Sequence, residues 1–257
     1  MGTGDPGQRR TGGLMRGGLR SILRICVVLL FAAAGVSVTA TDWRRMTHEP
    51  LGLAPDPALV RGAVVQVYGA RAMGAKGVFG VHTWVAVKRS DAPTWTVYEV
   101  IGWRLRWSET VVVVRNRQPD APWFGGTPEL YAEKRGAGVD RLIDRIEQAV
   151  QTYPYPAEYT VWPGPNSNTF TAWIARAVPE LEIDLPATAI GKDYLGGSIF
   201  STAPSGSGFQ VSLGGLLGVA ASGVDGLELN VLGLNFGVSA RGIKLPLVGR
   251  IGTRSAE

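Results

Sequence analysis

Residues 25–40 form an uncharged apolar run of 16 residues, and five arginines precede it: Arg9, Arg10, Arg16, Arg20 and Arg24. The run falls just short of the roughly 17–25 residues that span a bilayer. Basic residues before such a run hold the N-terminus in the cytoplasm and send the following chain across the membrane. Val38-Thr39-Ala40 offers small residues for a signal peptidase. A cleaved signal peptide and an uncleaved anchor are both open readings, and both carry residues 41–257 out of the cytoplasm. A buried core helix is the alternative without export. The expected organisation is a basic segment (1–24), the anchor or signal (25–40), a linker (41–60) rich in Pro50, Pro55 and Pro57, a core domain (61–192) and a Gly-rich extension (193–257).

The sequence pI of about 9.6 suggests nucleic acid, but the charge is unevenly placed. Residues 1–50 hold seven Arg against Asp5, Asp42 and Glu49, and residues 51–257 are close to neutral. The body therefore lacks the basic surplus that holds a phosphate backbone, and no nucleic-acid partner is expected. There is one cysteine, Cys26, and there are two histidines, His48 and His82. No intrachain disulfide, thiolate zinc cluster or multi-histidine metal site can form, so no metal and no cofactor is expected. Gly191-Lys192-Asp193 is not a phosphate loop: Pro186 stands where a glycine is required and Asp193 where Ser or Thr is required.

The pattern of the body is α+β. Residues 61–69, 77–88, 95–103 and 110–115 read as strands, with a hairpin turn at Ser90–Pro93. Residues 139–153 place Val139, Leu142, Ile143, Ile146, Ala149, Val150 and Tyr153 on one helical face. A second helix starts at Asn166-Ser167-Asn168-Thr169 and stops before Pro179. Between Asp193 and Asp225 no charged residue occurs, and that stretch holds eight Gly and six Ser. It reads as Gly-punctuated strands or turns, followed by antiparallel strands over 227–238 and 243–248.

Two places suit chemistry. In Trp162-Pro163-Gly164-Pro165-Asn166-Ser167-Asn168-Thr169-Phe170, Ser167 falls on the first turn of a helix. There, unpaired N–H groups and the positive end of the macrodipole favour an oxyanion. Asn, Ser and Thr are equally the residues that cap helices. His82 lies mid-strand with Trp84 on its face, and it is the one histidine available to the body as a base. Glu99, Asn168 and Tyr98 are candidates to orient it, and a one-residue slip of the hairpin moves Glu99 to the opposite face. Seven of the eight tryptophans lie between Trp84 and Trp173. Trp84, Trp103, Trp107, Trp123, Trp162 and Tyr98 are candidates to wall a ligand groove, or to pack the core.

The order His82-Thr83-Trp84, then Glu99-Val100-Ile101-Gly102, then Asn166-Ser167-Asn168-Thr169-Phe170 resembles the circularly permuted papain-like fold. That group includes permuted NlpC-type peptidoglycan amidases, PPPDE-type isopeptidases and lecithin:retinol acyltransferase relatives. Together with Tyr98–Arg104 and Ala189–Leu195, the same motifs resemble, over most of 45–252, a bacterial family of exported proteins catalogued as a domain of unknown function. The papain-like resemblance covers about 61–178 and implies a permuted papain-like core; the residue pattern adds a Gly-rich, β-rich extension after it and one apolar helix before it. The resemblance to exported proteins implies a place in the bacterial envelope: anchored in the cytoplasmic membrane by a single pass through residues 25–40 with the body outside, or exported after cleavage.

In the papain-like nucleophile position this chain has Ser167 where Cys is expected. The helix dipole that ionises a thiol cannot ionise a hydroxyl, which needs an aligned base. Two functions follow. One is a non-catalytic, membrane-tethered module binding a glycan, peptide or lipid in the papain-like cleft. The other is a serine hydrolase or acyl/peptidyl transferase acting on an envelope amide or ester, with Ser167 as nucleophile, His82 as base, Glu99 or Asn168 as orienting partner, and Asn166, Ser167 and Asn168 forming the oxyanion site.

Overall fold

Val64, Val65, Val67, Tyr68 and Ala70 are all buried, so the first strand is covered on both sides and lies inside a sheet. The computed structural model describes residues 49–253, which belong to one compact unit. The apolar run 25–40, the helix expected there and Cys26 lie outside the described residues. No helix among the described residues is long and apolar enough to cross a membrane.

The elements, in chain order, are β1 (Val64–Arg71), a single turn α1 (Lys76–Phe79), β2 (Val81–Lys88), β3 (Thr96–Val100), β4 (Val112–Asn116) and β5 (Glu129–Arg135). The helices α2 (Val139–Gln151) and α3 (Ser167–Ala177) follow. The first sheet has the order β4-β3-β2-β1-β5 and all its pairings are antiparallel. The class is α+β, as the pattern of the sequence implies.

Side chains alternate across this sheet. Val65, Val67, Val85, Val87, Tyr98 and Val100 join Val139, Ile143 and Ile146 of α2 and Phe170, Ile174 and Ala175 of α3 in one core. Val64, Tyr68, Trp84, Ala86, Trp95, Val97, Ile101, Val113 and Trp123 form a second core on the other face. Among the described residues neither α2 nor α3 contributes to that second core. Irregular chain closes it: Leu53 and Ala54 donate their N–H groups to Asp120 Oδ2 at 2.8 and 3.2 Å, and the indoles of Trp84 and Trp95 donate to Pro119 O and Pro55 O. Aromatic rings suit a face roofed by loops, because each fills a large volume and its N–H satisfies one loop carbonyl.

The second sheet runs β6 (Phe200–Ser201), β7 (Phe209–Leu213), β8 (Leu217–Ser222), β9 (Gly226–Val231), β10 (Leu234–Ser239), β11 (Gly242–Leu245) and β12 (Gly249–Gly252) in simple sequence order. Charges hidden within it point inward. Glu228 accepts from both Lys192 and Lys244, Lys244 Nζ lies 2.5 Å from Asp184 Oδ1, and Arg250 lies 2.5 Å from Asp184 Oδ2. Asp193 takes Asn230 at 3.0 Å. Lys192, Lys244, Asp184 and Glu228 are all at most 2 % exposed on their side chains. Buried charges of this kind persist only when mutually paired, and here the pairing fastens the second sheet to the chain that follows α3.

The outward side of the second sheet is apolar. The cross-strand registers line up Leu213, Leu217, Val231 and Leu234 in one row, Phe200, Val211, Val219, Leu229 and Phe236 in the next, and Phe209, Ala221, Leu227, Val238, Ile243 and Ile251 in a third. An antiparallel sheet with one buried face ordinarily turns its polar side to solvent; this one is inverted.

Candidate functional site

The helix start at Asn166 is a closed capping box. Asn166 Oδ1 accepts the N–H groups of Asn168 at 2.9 Å and Thr169 at 3.2 Å, and the Asn166 N–H donates to Thr169 Oγ1. Asn166 Nδ2 donates to Val161 O and Ile190 O. Gly191, at φ +98°, lies so close that a Cβ there would sit 2.3 Å from Asn166 Nδ2. Asn168 donates to Val81 O and Ile190 O and accepts from Thr83 Oγ1. Asn166, Ser167, Asn168 and Thr169 are each 3–4 % exposed.

Two of the sequence expectations are corrected here. Of the donors expected to form an oxyanion site at Asn166, Ser167 and Asn168, the N–H groups of Asn166 and Asn168 are consumed by the cap, because an Asn side chain reaches the N–H groups of the first turn before any ligand can. The expected pairing of Ser167 with His82 is not formed. Thr83 faces α3, with its hydroxyl 3.2 Å from Ser167 O and 2.8 Å from Thr171 Oγ1. His82, its neighbour on the strand, therefore points to the other face, among the rings of the second core.

On that face the structure brings His82 and Glu99 together. The β2–β3 register sets Val85 against Tyr98, which turns Glu99 toward His82 and Tyr98 away. His82 Nε2 lies 3.1 Å from Glu99 Oε2. Arg115 Nη2 lies 2.5 Å from Glu99 Oε1 and Arg117 Nη2 3.7 Å from it. Burial is the largest influence on Glu99 and raises its pKa. The His82 hydrogen bond and the charges of Arg117 and Arg115 outweigh it, so the carboxyl is held below its ordinary range. Burial is also the largest influence on His82; it prevails over the pull of Glu99 and keeps the imidazole neutral to lower pH than usual. An ionised carboxylate can only accept, so Nε2 carries the proton and Nδ1 keeps its lone pair.

The ring of His82 stacks on Trp123, with centroids 3.9 Å apart and planes within 9°. Trp123 meets Trp103 at 6.2 Å and Phe124 edge-on at 5.1 Å, and Trp103 and Phe124 also touch each other. The local chain explains the arrangement. Trp123 and Gly126 exchange backbone hydrogen bonds, and Phe124 and Gly125 between them both have positive φ. That is the backbone of a tight two-residue hairpin turn, and it presents the residue at its tip to solvent. Trp103 belongs to the 3₁₀ turn Gly102–Arg106 just after β3. Trp103 is 37 % and Phe124 39 % exposed, while Trp84 is fully buried and Trp123 8 % exposed. Two open rings thus stand over two closed ones, with His82 and Glu99 beneath.

The other groove candidates go elsewhere. Tyr98 lies on the helical face and donates to Glu147 of α2 at 3.0 Å. Trp162 is half exposed and donates to Leu232 O, against the second sheet. The expected groove therefore does not assemble from all its candidates: Trp84, Trp103 and Trp123 belong to the His82 face, Tyr98 and Trp162 do not. Arg115, Arg117 and Phe124 were absent from the sequence expectation. Arg115 was legible in principle, since it follows Val113 by two positions and Val113 pairs with Glu99. Arg117 stacks over Trp84 with its guanidinium carbon 5.2 Å from the ring centre. It also lines a pocket of about 200 Å³ with Pro57, Pro93, Thr94, Trp95, Asn116 and Gln118.

The carboxylates of Asp184, Asp225 and Glu228 come within 4.8 Å of one another, but the Lys244 ammonium bonds Asp184, Glu228 and the Asp225 carbonyl. A lysine holds the place a cation would take there.

Residues 62–194, just over half of the chain, match the family described as "Protein of unknown function (DUF3750)". The match stops short of the second sheet and includes His82, Glu99, Trp103, Arg115 and Trp123. No curated protein and no solved structure matches the chain.

Proposed function

From the premise that the chain belongs to the DUF3750 family, whose description supplies no reaction, we propose that it is a membrane-tethered envelope module that binds a glycan on the aromatic face beside His82. The observation that carries this reading is the stack of Trp103, Phe124, Trp123 and His82, with exposed rings outside and the His82–Glu99–Arg115 chain within. A sugar ring offers an apolar C–H side to an open aromatic ring and hydroxyls at its rim. Charged partners held rigidly nearby suit those hydroxyls, and Arg115 is 45 % exposed on its side chain while anchored to Glu99. The tether is residues 25–40, with the arginines before it setting the direction of export.

The permuted papain-like fold remains the finer reading of the core, supported by a histidine strand preceding a helix that opens at Asn166. The binding face lies opposite that helix, not in a papain-like cleft, because Asn166 and Asn168 fill the space between α3 and the strand. Peptidoglycan-derived oligosaccharides titrated into the detergent-solubilised full chain, read by tryptophan fluorescence and calorimetry, test the proposal. Saturable binding lost in Trp103→Ala and Phe124→Ala supports it; no binding, or binding indifferent to both changes, defeats it.

A second reading is favoured by one observation. Glu99 orients His82 with Nδ1 unprotonated, which is the state of a general base. In that reading His82 activates water or a substrate hydroxyl, and Ser167 plays no part. Turnover of a labelled envelope fragment that survives Ser167→Ala and is lost in His82→Gln distinguishes it from binding alone.

A further inference from the structure

We propose that the apolar outer face of the second sheet rests on the lipid surface of the membrane to which the chain is tethered. The proposal rests on the tether reading of residues 25–40. Each outward row of this sheet is apolar throughout, with Phe209, Leu217, Leu229, Phe236 and Ile243 each between 45 and 56 % exposed. Every charged strand residue of the sheet points the other way, with Glu228 and Lys244 buried and Arg250 turned to Asp184. Strand spacing and rise put the face at roughly 600 Å² in projection, above the few hundred Å² that a soluble monomer ordinarily leaves open.

Lipid is the occupant that fits. The face carries no outward charge or hydrogen-bonding group along β7–β12, so it has nothing to set the register of a protein partner, and a lipid surface requires none. The ladder satisfies the backbone of the inner strands, which is the condition for lying against hydrocarbon. The chain between the tether and the body is short. Twelve residues separate Ala40 from Leu53, whose N–H is bonded to Asp120 of the body, and a stretch of that length reaches at most about 45 Å. The body is therefore held close to the bilayer. There a face of this kind immerses to the depth of the headgroup and acyl boundary, as interfacial helices do.

Cys26, the chain's single cysteine, makes the test clean. Full-length protein is reconstituted into phosphatidylcholine vesicles, with and without phosphatidylglycerol, containing lipids that carry a quencher on the acyl chain. An environment-sensitive fluorophore is placed on Cys26 in the parent chain, and on Leu229→Cys, Phe236→Cys or the exposed control Asp144→Cys in a Cys26→Ser background. Several-fold quenching at positions 229 and 236 but not at 144 is the expected result. Unquenched labels at 229 and 236 in vesicles where Cys26 is quenched overturn the inference and leave the tether standing. An unquenched Cys26 overturns the tether alone, and quenching at 229 then still reports the sheet. Disulfide formation between copies through Leu229→Cys, without quenching, overturns the inference in favour of a self-association face.

Discussion

His82 Nε2 donates to Glu99 Oε2 at 3.1 Å, and the far side of that carboxylate is held by Arg115 at 2.5 Å. The pair is neutral imidazole and carboxylate. Both members are buried, and a positive charge on the ring would be added to those of Arg115 and Arg117. Stacking on Trp123 fixes the ring plane and Glu99 fixes the tautomer, so the unprotonated Nδ1 has a set direction.

Stability falls on acidification for a stated reason. Below its ordinary value of 6.5 His82 takes up a proton in the unfolded chain but resists it in the folded one. Below 4.5 the unfolded chain likewise protonates Glu99 before the folded chain does. Both depressions therefore give stability that is present at neutral pH and lost as pH drops. Thermal melts between about pH 7 and 5 should show a decline in Tm that His82→Gln flattens. A parent Tm independent of pH over that range contradicts the assignment.

Trp103→Ala and Trp123→Ala should separate binding from folding. Trp123 is buried and stacked on His82, and its removal should cost about 3–5 kcal/mol. Trp103 is open, so its removal should change stability by less than about 1 kcal/mol. The same change should weaken glycan binding about tenfold, as loss of an exposed aromatic anchor does. Urea denaturation and calorimetric titration of the two variants decide it.

Asn166→Ala should destabilise by at least about 1–2 kcal/mol, since the side chain caps α3 and also donates to Val161 O and Ile190 O. Ser167→Ala should stay within about 1 kcal/mol and leave any ligand binding intact. Loss of function in Ser167→Ala with unchanged stability would restore the nucleophile role that the geometry withholds.

Glu228→Gln should cost about 3–5 kcal/mol, because Lys192 and Lys244 then face each other with their shared carboxylate gone. Burial, the largest influence on Glu228, raises its pKa, but the two lysines prevail and hold it low. Its stabilisation therefore belongs to neutral pH and is lost in acid. Hydrogen exchange should show protection lost first in β8–β11, where the network joins the sheet to Asp184 and Lys192.

Much was readable along the chain because it depends on local periodicity. The hydrophobic spacing of 139–153 appears as α2, and the Asn166 start and Pro179 stop delimit α3. In detail the chain differs where side-chain pattern gives no signal. The segment 77–88 is one helical turn followed by β2, because Gly77 and Gly80 close a turn before Val81. β5 has only intermediate burial on most residues, so its alternation is blurred.

The sequence by itself determined which residues share a side of each strand: His82 goes with Trp84, and Thr83 with Val85. It also determined that the body is nearly neutral and that one cysteine and two histidines limit its chemistry. Only the tertiary structure decided which side of β2 meets α3. Period-two alternation is symmetric between the faces, and the choice is made by long-range packing: Thr83 reaches Thr171 and Asn168, and Trp123 closes on His82. The inverted second sheet was decided in the same way. Its alternation was present in 227–238, but Glu228 and Asn230 turn inward only because Lys192, Lys244 and Asp193 come from distant segments to meet them, leaving the leucines and phenylalanines outside.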